Sequence, residues 1–305
     1  MTLLAFSWLS LAAASSSAPR VATHMRHVVF HFGPGIELRV DDLVGHLISR
    51  SARPVLFDDV RSYVVDIDSA SVAMTPDSLT NLMNQYVFAA PDAPFKNIKI
   101  GIEGQEMTQS GTLRKGVSVP FSIRAPLAAT PDGKIRVHPT SIKAAGFLSK
   151  RVLDFFGLEL DNLVKMKSVT AVTVDGDDLL LDPQQLLPPP QIRGKLTRVS
   201  IENGVIVQQF GAGTSAKAIA PPDKRVTNYM YYRGGTLRFG KLTMRDTDLL
   251  LVDSDPKDHF DFSPQRYNEQ LVAGYSKNTR ARGLIVYMPD LSDLRRASSQ
   301  QAQAR

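Results

Sequence analysis

Four aspartates come closest to the type and spacing of a metal site. Asp253, Asp255, Asp258 and Asp261 lie in the run VDSDPKDHFDF. Carboxylate oxygens suit Ca²⁺, but an EF-hand loop also needs a glycine at its sixth position and a bidentate glutamate at its twelfth, and both are absent. Aspartate and proline favour turns without any ion. We therefore interpret the run as a solvated turn and predict no metal site.

Histidine spacing gives no metal site either. His27 and His31 are four residues apart, a spacing that brings two imidazoles to one ion only on a helix. They lie in a strand-like pattern, where such residues are about 13 Å apart. The glycine-rich stretch from Gly211 to Lys217 lacks the spacer and the Gly-Lys-Ser/Thr ending of a phosphate-binding loop. It is interpreted as a flexible linker.

Nucleophile motifs are also missing from the sequence. No serine lies in a Gly-x-Ser-x-Gly elbow, and the chain contains no cysteine for a thiolate or a disulfide. We predict a non-enzymatic protein with no catalytic residue and no cofactor. A hydrolase whose site is assembled from distant residues stays open as an alternative, because such sites need not be local in sequence.

The charge of the chain is modest and dispersed. The net charge is +6 and the pI about 9.5, with lysines and arginines spread along the sequence. Nucleic-acid binders usually concentrate these residues on one element, so no nucleic-acid partner is predicted. A transient contact with an anionic membrane surface is compatible with this charge, at about 1 kcal/mol per basic residue.

The N-terminus predicts export. Leu3 to Ala14 form an uncharged run of twelve residues, followed by small residues. This is typical of the apolar segment of a signal peptide and is too short to cross a bilayer. We expect a periplasmic or otherwise envelope-associated protein whose mature chain begins near Ser15 to Val21.

Alternating apolar and polar residues dominate the rest of the chain and predict an antiparallel sheet with one wet face. The Asn203-Gly204 pair predicts a type I′ turn in a hairpin over residues 192–210. Further strands are predicted at Val28 to Phe32, Val64 to Val72, Ile98 to Glu103, Val117 to Ile123, Ile135 to Val137, Val169 to Val174, Leu237 to Val252 and Leu284 to Met288.

Helical patterns are fewer. Pro76 precedes apolar residues at i, i+3, i+4, i+7 and i+8, from Leu79 to Val87, which predicts an amphipathic helix. The longest pattern runs from Phe147 to Met166, and shorter ones cover Asp41 to Ile48 and Pro264 to Tyr275.

These elements suggest one main domain. We expect a leader or disordered segment (1–25), an α+β domain (26–210), a linker (211–227), a β-rich extension packed on that domain (228–294) and a disordered tail (295–305). The predicted fold class is α+β, with a highly curved, mainly antiparallel sheet wrapped around one or two amphipathic helices, since a one-sided sheet must bury its apolar face.

A string of short motifs from His27 to Phe210 resembles the LmeA-like phospholipid-binding family of bacterial envelope proteins, which has a TULIP-like tubular lipid-binding fold. Their order carries the resemblance, and residues after Asn228 are not covered by it. The motifs are Phe57-Asp58-Asp59-Val60, Leu79 to Asn84 with Val87-Phe88, Ile98 to Ile102, Gly111 to Gly116, Val119-Pro120-Phe121, Asp132 to Pro139, and Asp182-Pro183 to Pro190.

The resemblance implies binding or shuttling of a phospholipid or another lipid, with no catalytic residues. Together with the two helical stripes, it predicts an apolar pocket and a basic head-group rim. The pocket residues are Leu79, Leu82, Met83, Val87, Phe147, Leu148, Val152, Phe155 and Phe156. The rim residues are Lys143, Lys150 and Arg151. The alternative is a structural or partner-binding envelope protein in which the same side chains fill a solid core. The sequence predicts neither the lipid species nor the oligomeric state.

Overall fold

The computed structural model describes residues 19–294 except 52, 116, 145–146, 150–170 and 212–216. The strands are β1 (Arg20–Gly33), β2 (Ile36–Ser49), β3 (Val55–Leu56), β4 (Tyr63–Met74), β5 (Phe95–Glu103), β6 (Glu106–Lys115), β7 (Val117–Ala125), β8 (Leu127–Ala129), β9 (Ile135–Val137), β10 (Ser141–Ala144), β11 (Phe147–Ser149), β12 (Val172–Asp175), β13 (Asp178–Leu181), β14 (Gln191–Arg193), β15 (Leu196–Glu202), β16 (Val205–Gly211), β17 (Tyr229–Arg233), β18 (Thr236–Phe239), β19 (Leu242–Arg245), β20 (Asp248–Asp253), β21 (Phe260–Phe262), β22 (Tyr275–Asn278) and β23 (Leu284–Met288). The helices are α1 (Pro76–Leu82), which continues as a π-helical turn (Met83–Val87), α2 (Pro183–Leu186) and α3 (Tyr267–Ala273).

The protein is mostly β, with mainly antiparallel pairing. An 11-stranded sheet has the order β15-β16-β4-β2-β1-β17-β20-β23-β22, with β14 paired to β4 and β21 paired to β1. Smaller sheets follow the orders β11-β10-β7-β6-β5, β12-β13-β9-β8 and β19-β18-β3. We refer to these as the large, second, third and fourth sheets.

Helix α1 connects the large sheet to the second sheet. Its N-cap Thr75 accepts a hydrogen bond from the Ser78 amide, which explains why the helix begins at the predicted place. The Ser78 hydroxyl accepts from the Glu37 amide at the start of β2. On the other side, the Ile98 amide donates to the Asn84 side chain at 3.0 Å and the Ile100 amide donates to the Thr80 hydroxyl at 2.9 Å. Polar side chains thus satisfy the edge of β5 and fix the distance between the two sheets.

The C-terminal strands extend the large sheet. β17 is antiparallel to β1 over Ala22 to Arg26, and β21 is parallel to β1 over Val28 to Phe30. The side chains of this region enter the same core as those of β1, β2 and β4.

Two helix predictions are wrong. The residues from Asp41 to Ile48 belong to β2, which pairs with both β1 and β4. The first residues of the predicted helix from Phe147 form β11, because their backbone pairs with β10 instead. The remainder of that prediction lies outside the described residues.

The predicted leader boundary at residue 25 falls inside β1. Val21 and Met25 are buried in the core, so residues 20–25 are part of the central sheet. Residues 1–18 lie outside the description. The expected wrapping of a curved sheet around helices also differs from the structure: helices are few, and no strongly curled sheet wraps one among the residues described.

Candidate functional site

An apolar cavity of about 200 Å³ lies inside the fold. The large sheet contributes the largest share of its wall, and its residues include Met25, Leu43, Val65, Ile67, Val72 and Phe210. The second and third sheets contribute a facing wall that includes Phe95, Ile100, Met107, Ile123, Ile135 and Leu179. The segment around α2 closes one side through Pro183, Leu186, Leu187, Pro188 and Pro190.

The cavity is long in relation to its volume. Its lining on β4 runs from Tyr63 to Met74. At the usual rise of a strand, that distance is roughly 35 Å. A volume of about 200 Å³ distributed over such a length describes a narrow channel and not a round pocket.

Of the predicted pocket residues, Leu79, Leu82 and Met83 line this cavity. Leu82 is buried, whereas Met83 is partly buried. Val87 is buried but does not contribute to the lining. The helical spacing found these residues because α1 presents one apolar stripe to the space between the sheets.

The other predicted residues cannot be placed in the cavity. The backbone of Phe147 and Leu148 is in β11. The remaining pocket and rim predictions, namely Val152, Phe155, Phe156, Lys150 and Arg151, lie outside the described residues.

Few polar groups line the cavity. Within the described part of the chain, the lining contains no charged side chain, and its polar members are two tyrosines and the amides of Gln109 and Gln208. Burial raises the pKa of Tyr63 and of Tyr232, so both phenols stay neutral. The interior of the cavity therefore favours apolar groups, and burial of an unpaired charge there would cost free energy.

Lys143 lies in a polar groove on the second sheet. Lys99, Ser110, Ser122 and Lys143 form one row across β5, β6, β7 and β10. Their neighbours in the strands, among them Ile100, line the cavity on the opposite face. Because side chains alternate between faces, the sheet separates the groove from the cavity.

The groove has a positive bias. Arg124 is paired with Glu103 and Glu106. Lys99 and Lys143 are both exposed, and neither forms an ion pair with a described residue. Two lysine ammonium groups beside a row of serine hydroxyls can bind the phosphate groups of an anionic surface.

A cluster of acids lies at the C-terminal ends of the parallel strands β20 and β23. Carboxylate oxygens of Asp253, Asp258 and Asp290 lie within 4.8 Å of one another. Burial raises the pKa of Asp253 to about 6 and that of Asp290 to about 7, and the charges of neighbouring aspartates add to both shifts. The solvated-turn interpretation fits exposed Asp258, whereas Asp253, the last residue of β20, is buried.

Five of the six histidines contact a carboxylate, and His27 contacts the side-chain amide oxygen of Asn228. His24 contacts Asp42 through Nε2 and the Ile219 carbonyl through Nδ1, both at 3.0 Å. His31 lies between Glu37 and Asp261. Both ring nitrogens of His24 are therefore engaged, which leaves no free base for a nucleophile at this position.

Two parts of the cavity wall could not be found from sequence periodicity. Alternation predicts β4 as a strand, but a register shift next to Asp68 moves its lining from odd positions (Tyr63, Val65, Ile67) to even ones (Val72, Met74), so periodicity does not mark a single inward face. In the sequence, the proline-rich segment near α2 indicates a rigid connector. Its position in the cavity wall depends on the tertiary structure. Gln208 interrupts an apolar pattern in β16, and this is the one signal that could have indicated a polar group inside.

Comparison with known proteins returned no match: no family model, no curated protein and no solved structure is significantly similar to this chain. The described residues contain no helix that is both long and apolar enough to cross a membrane.

Proposed function

We propose that the protein is a non-enzymatic lipid-binding protein that holds or shuttles a phospholipid or a similar apolar ligand. The observation that carries this proposal is the long apolar cavity, whose described lining has no charged side chain. Each methylene group buried in such a space contributes about 0.8 kcal/mol, so a single acyl chain supplies most of the affinity.

The dimensions of the cavity favour one extended acyl chain. Typical ligand pockets enclose about 300–1,000 Å³, more than the cavity provides. The length of the wall exceeds the half-thickness of a bilayer core, roughly 15 Å, so an acyl chain fits lengthwise. A lipid with two chains requires the channel to widen, and Met83 and Met107 are lining side chains that adapt to such a change.

The resemblance to the LmeA-like, TULIP-like family supports the proposal through its motifs alone. The family fold encloses an apolar space by wrapping a sheet around helices. Here two facing walls can enclose such a space, because each wall contributes an apolar face. A solid core would be the expected structure if the protein were purely structural.

The proposal also includes a cellular location and a membrane partner. Export to the periplasm, or to another part of the cell envelope, rests on the apolar run from Leu3 to Ala14. Transient docking on an anionic membrane rests on Lys99 and Lys143, the two groove lysines without a carboxylate partner among the described residues. Docking would bring the protein to its lipid source and does not require the groove to open into the cavity.

The test is the substitution Met83→Trp. Met83 lines the cavity and is only partly buried, so a larger side chain can occupy the channel without disrupting the sheets. The purified variant is incubated with vesicles that contain a phospholipid with a fluorescent acyl chain, and lipid carried by the re-isolated protein is measured. We expect at least a fivefold loss of uptake with an unchanged circular dichroism spectrum.

Tyr86→Trp is the matched control. Tyr86 lies in the same π-helical turn, is 44% exposed and does not line the cavity. It should take up lipid like the parent protein. Destabilisation of the Met83→Trp variant, together with no uptake by the parent protein, would contradict the proposal and favour a solid core, in which overpacking costs about 1–3 kcal/mol.

A further inference from the structure

Gln208 carries a side-chain amide that lines the cavity and has no hydrogen-bond partner among the described residues. The residue is 9% exposed and lines the cavity between Ile206 and Phe210 on β16. No described residue forms a hydrogen bond with its amide group, whereas most buried polar side chains in native proteins have one. The amide is not among the fully enclosed polar atoms that lack a partner, so it is reachable from the cavity and open to a hydrogen-bond partner there.

A second amide lies at the same end of the cavity on the opposite wall. Gln208 pairs with Val72, two residues before the end of β4, and α1 begins directly after that strand. Gln109 pairs with Ile100, whose amide donates to Thr80 of α1. Both amides are therefore close to α1, while the Tyr63 end of the cavity is roughly 30 Å away along β4.

We propose that Gln208 donates a hydrogen bond to the ester carbonyl of an acylated glycerolipid whose chain fills the cavity, and that Gln109 supports it from the opposite wall. This inference rests on the proposed function. The recognised group must be neutral, because no charged side chain of the described lining could balance a carboxylate. An ester joins the chain to the glycerol, so it enters with the chain while a charged head group stays outside. The chain then extends from the α1 end towards Tyr63.

The experiment compares two lipids that differ in one carbonyl group. They are 1-palmitoyl-lysophosphatidylcholine and its 1-O-hexadecyl ether counterpart. Their dissociation constants are measured with the full chain by displacement of an apolar fluorescent dye. We expect the parent protein to prefer the ester by about two- to tenfold, the usual range for one hydrogen bond. Gln208→Leu should lose this preference and keep its affinity for the ether within about twofold.

Gln209→Leu is the control, since Gln209 is adjacent on β16 and does not line the cavity. Gln208→Met provides a second apolar variant of similar length should Gln208→Leu fail to fold. An unchanged ester preference in a folded Gln208 variant, or no preference in the parent protein, would overturn the inference and leave lipid binding intact. A folded parent protein that binds neither lipid would contradict the proposed function itself.

Discussion

At the scale of single residues, the acidic cluster makes the stability of the folded protein depend on pH in an unusual direction. Asp253 and Asp290 are 3% and 5% exposed, and Asp290 accepts a hydrogen bond from the Asp261 amide. Burial holds the pKa values of Asp253 and Asp290 at about 6 and 7, above the usual value near 3.9 in an unfolded chain. The folded state then binds more protons than the unfolded state between about pH 4 and 7, so these groups lower stability as the pH rises through that window.

Asp290→Asn tests this dependence. The asparagine keeps an oxygen for the Asp261 amide and removes the buried charge, so unfolding free energy at pH 8 should rise by about 1 kcal/mol, less than the full pKa shift implies because solvent screens part of the field. At pH 4 the change should be close to zero. Urea denaturation at the two pH values measures it, with exposed Asp92→Asn as the control. Equal destabilisation at both pH values would show that the carboxylate itself is required.

At the scale of elements, β1 and β2 change the face that they present to the core. Leu38 and Val40 enter the core before a register shift at Asp41, and Leu43 and Leu47 enter it after that shift. A bulge of this kind moves the buried positions from even to odd numbers. A second shift follows between Val44 and Gly45, where the β2 backbone lies against β4.

Gly45→Ala should therefore destabilise the protein. A Cβ atom at Gly45 would overlap the backbone oxygen of Asp66 in the neighbouring strand. We expect a loss of about 1–3 kcal/mol of unfolding free energy, typical of overpacking, measured by chemical denaturation. Gly33→Ala is the control, because its Cβ would meet Ile36 at 3.6 Å, an ordinary contact. A Gly45→Ala protein as stable as this control would contradict the predicted overlap.

The strand β2 also shows where sequence reasoning fails. The Asn203-Gly204 turn and the start of α1 at Pro76 are confirmed, because turn and cap chemistry is local. The predicted helix from Asp41 is wrong, because Leu43 and Leu47 on one face of β2 and Val44 on the other are all buried, which gives apolar spacing that resembles a helix. Within the site, helical spacing led to Leu79, Leu82 and Met83. Alternation predicts strands on the facing sheets, and Gln208 interrupts the apolar pattern of β16, but which faces meet across the cavity depends on long-range pairing.

At the scale of the whole molecule, the last third of the chain shares its core with the first. Phe57, just after β3, packs against Tyr232, Phe239 and Tyr267 with ring centroids 5.0–5.7 Å apart. Such aromatic pairs add about 0.5–1.5 kcal/mol each beyond their burial. This shared core and the β1–β17 pairing make residues 229–288 part of the wall that supports the cavity.

The position of the lysine row predicts how the molecule meets a membrane. The double substitution Lys99→Glu and Lys143→Glu reverses two exposed charges in the groove, away from the cavity lining. Sedimentation with vesicles containing 30% anionic phospholipid should show at least a tenfold loss of binding, since each basic residue contributes about 1 kcal/mol near such a surface. Lys224→Glu with Lys241→Glu is the charge-matched control, because neither residue lines the groove. Equal losses from both pairs would indicate a general charge effect and not a docking face.

The most direct test of lipid binding is an organic extract of the protein purified in its folded, full-length form from cells that express it, analysed by mass spectrometry against an equal amount of Met83→Trp protein. We expect lipid with at least one acyl chain in near-stoichiometric amount from the parent protein, and a severalfold lower amount from the variant. Recovery of no lipid from folded parent protein that also fails to take up lipid from vesicles would contradict it.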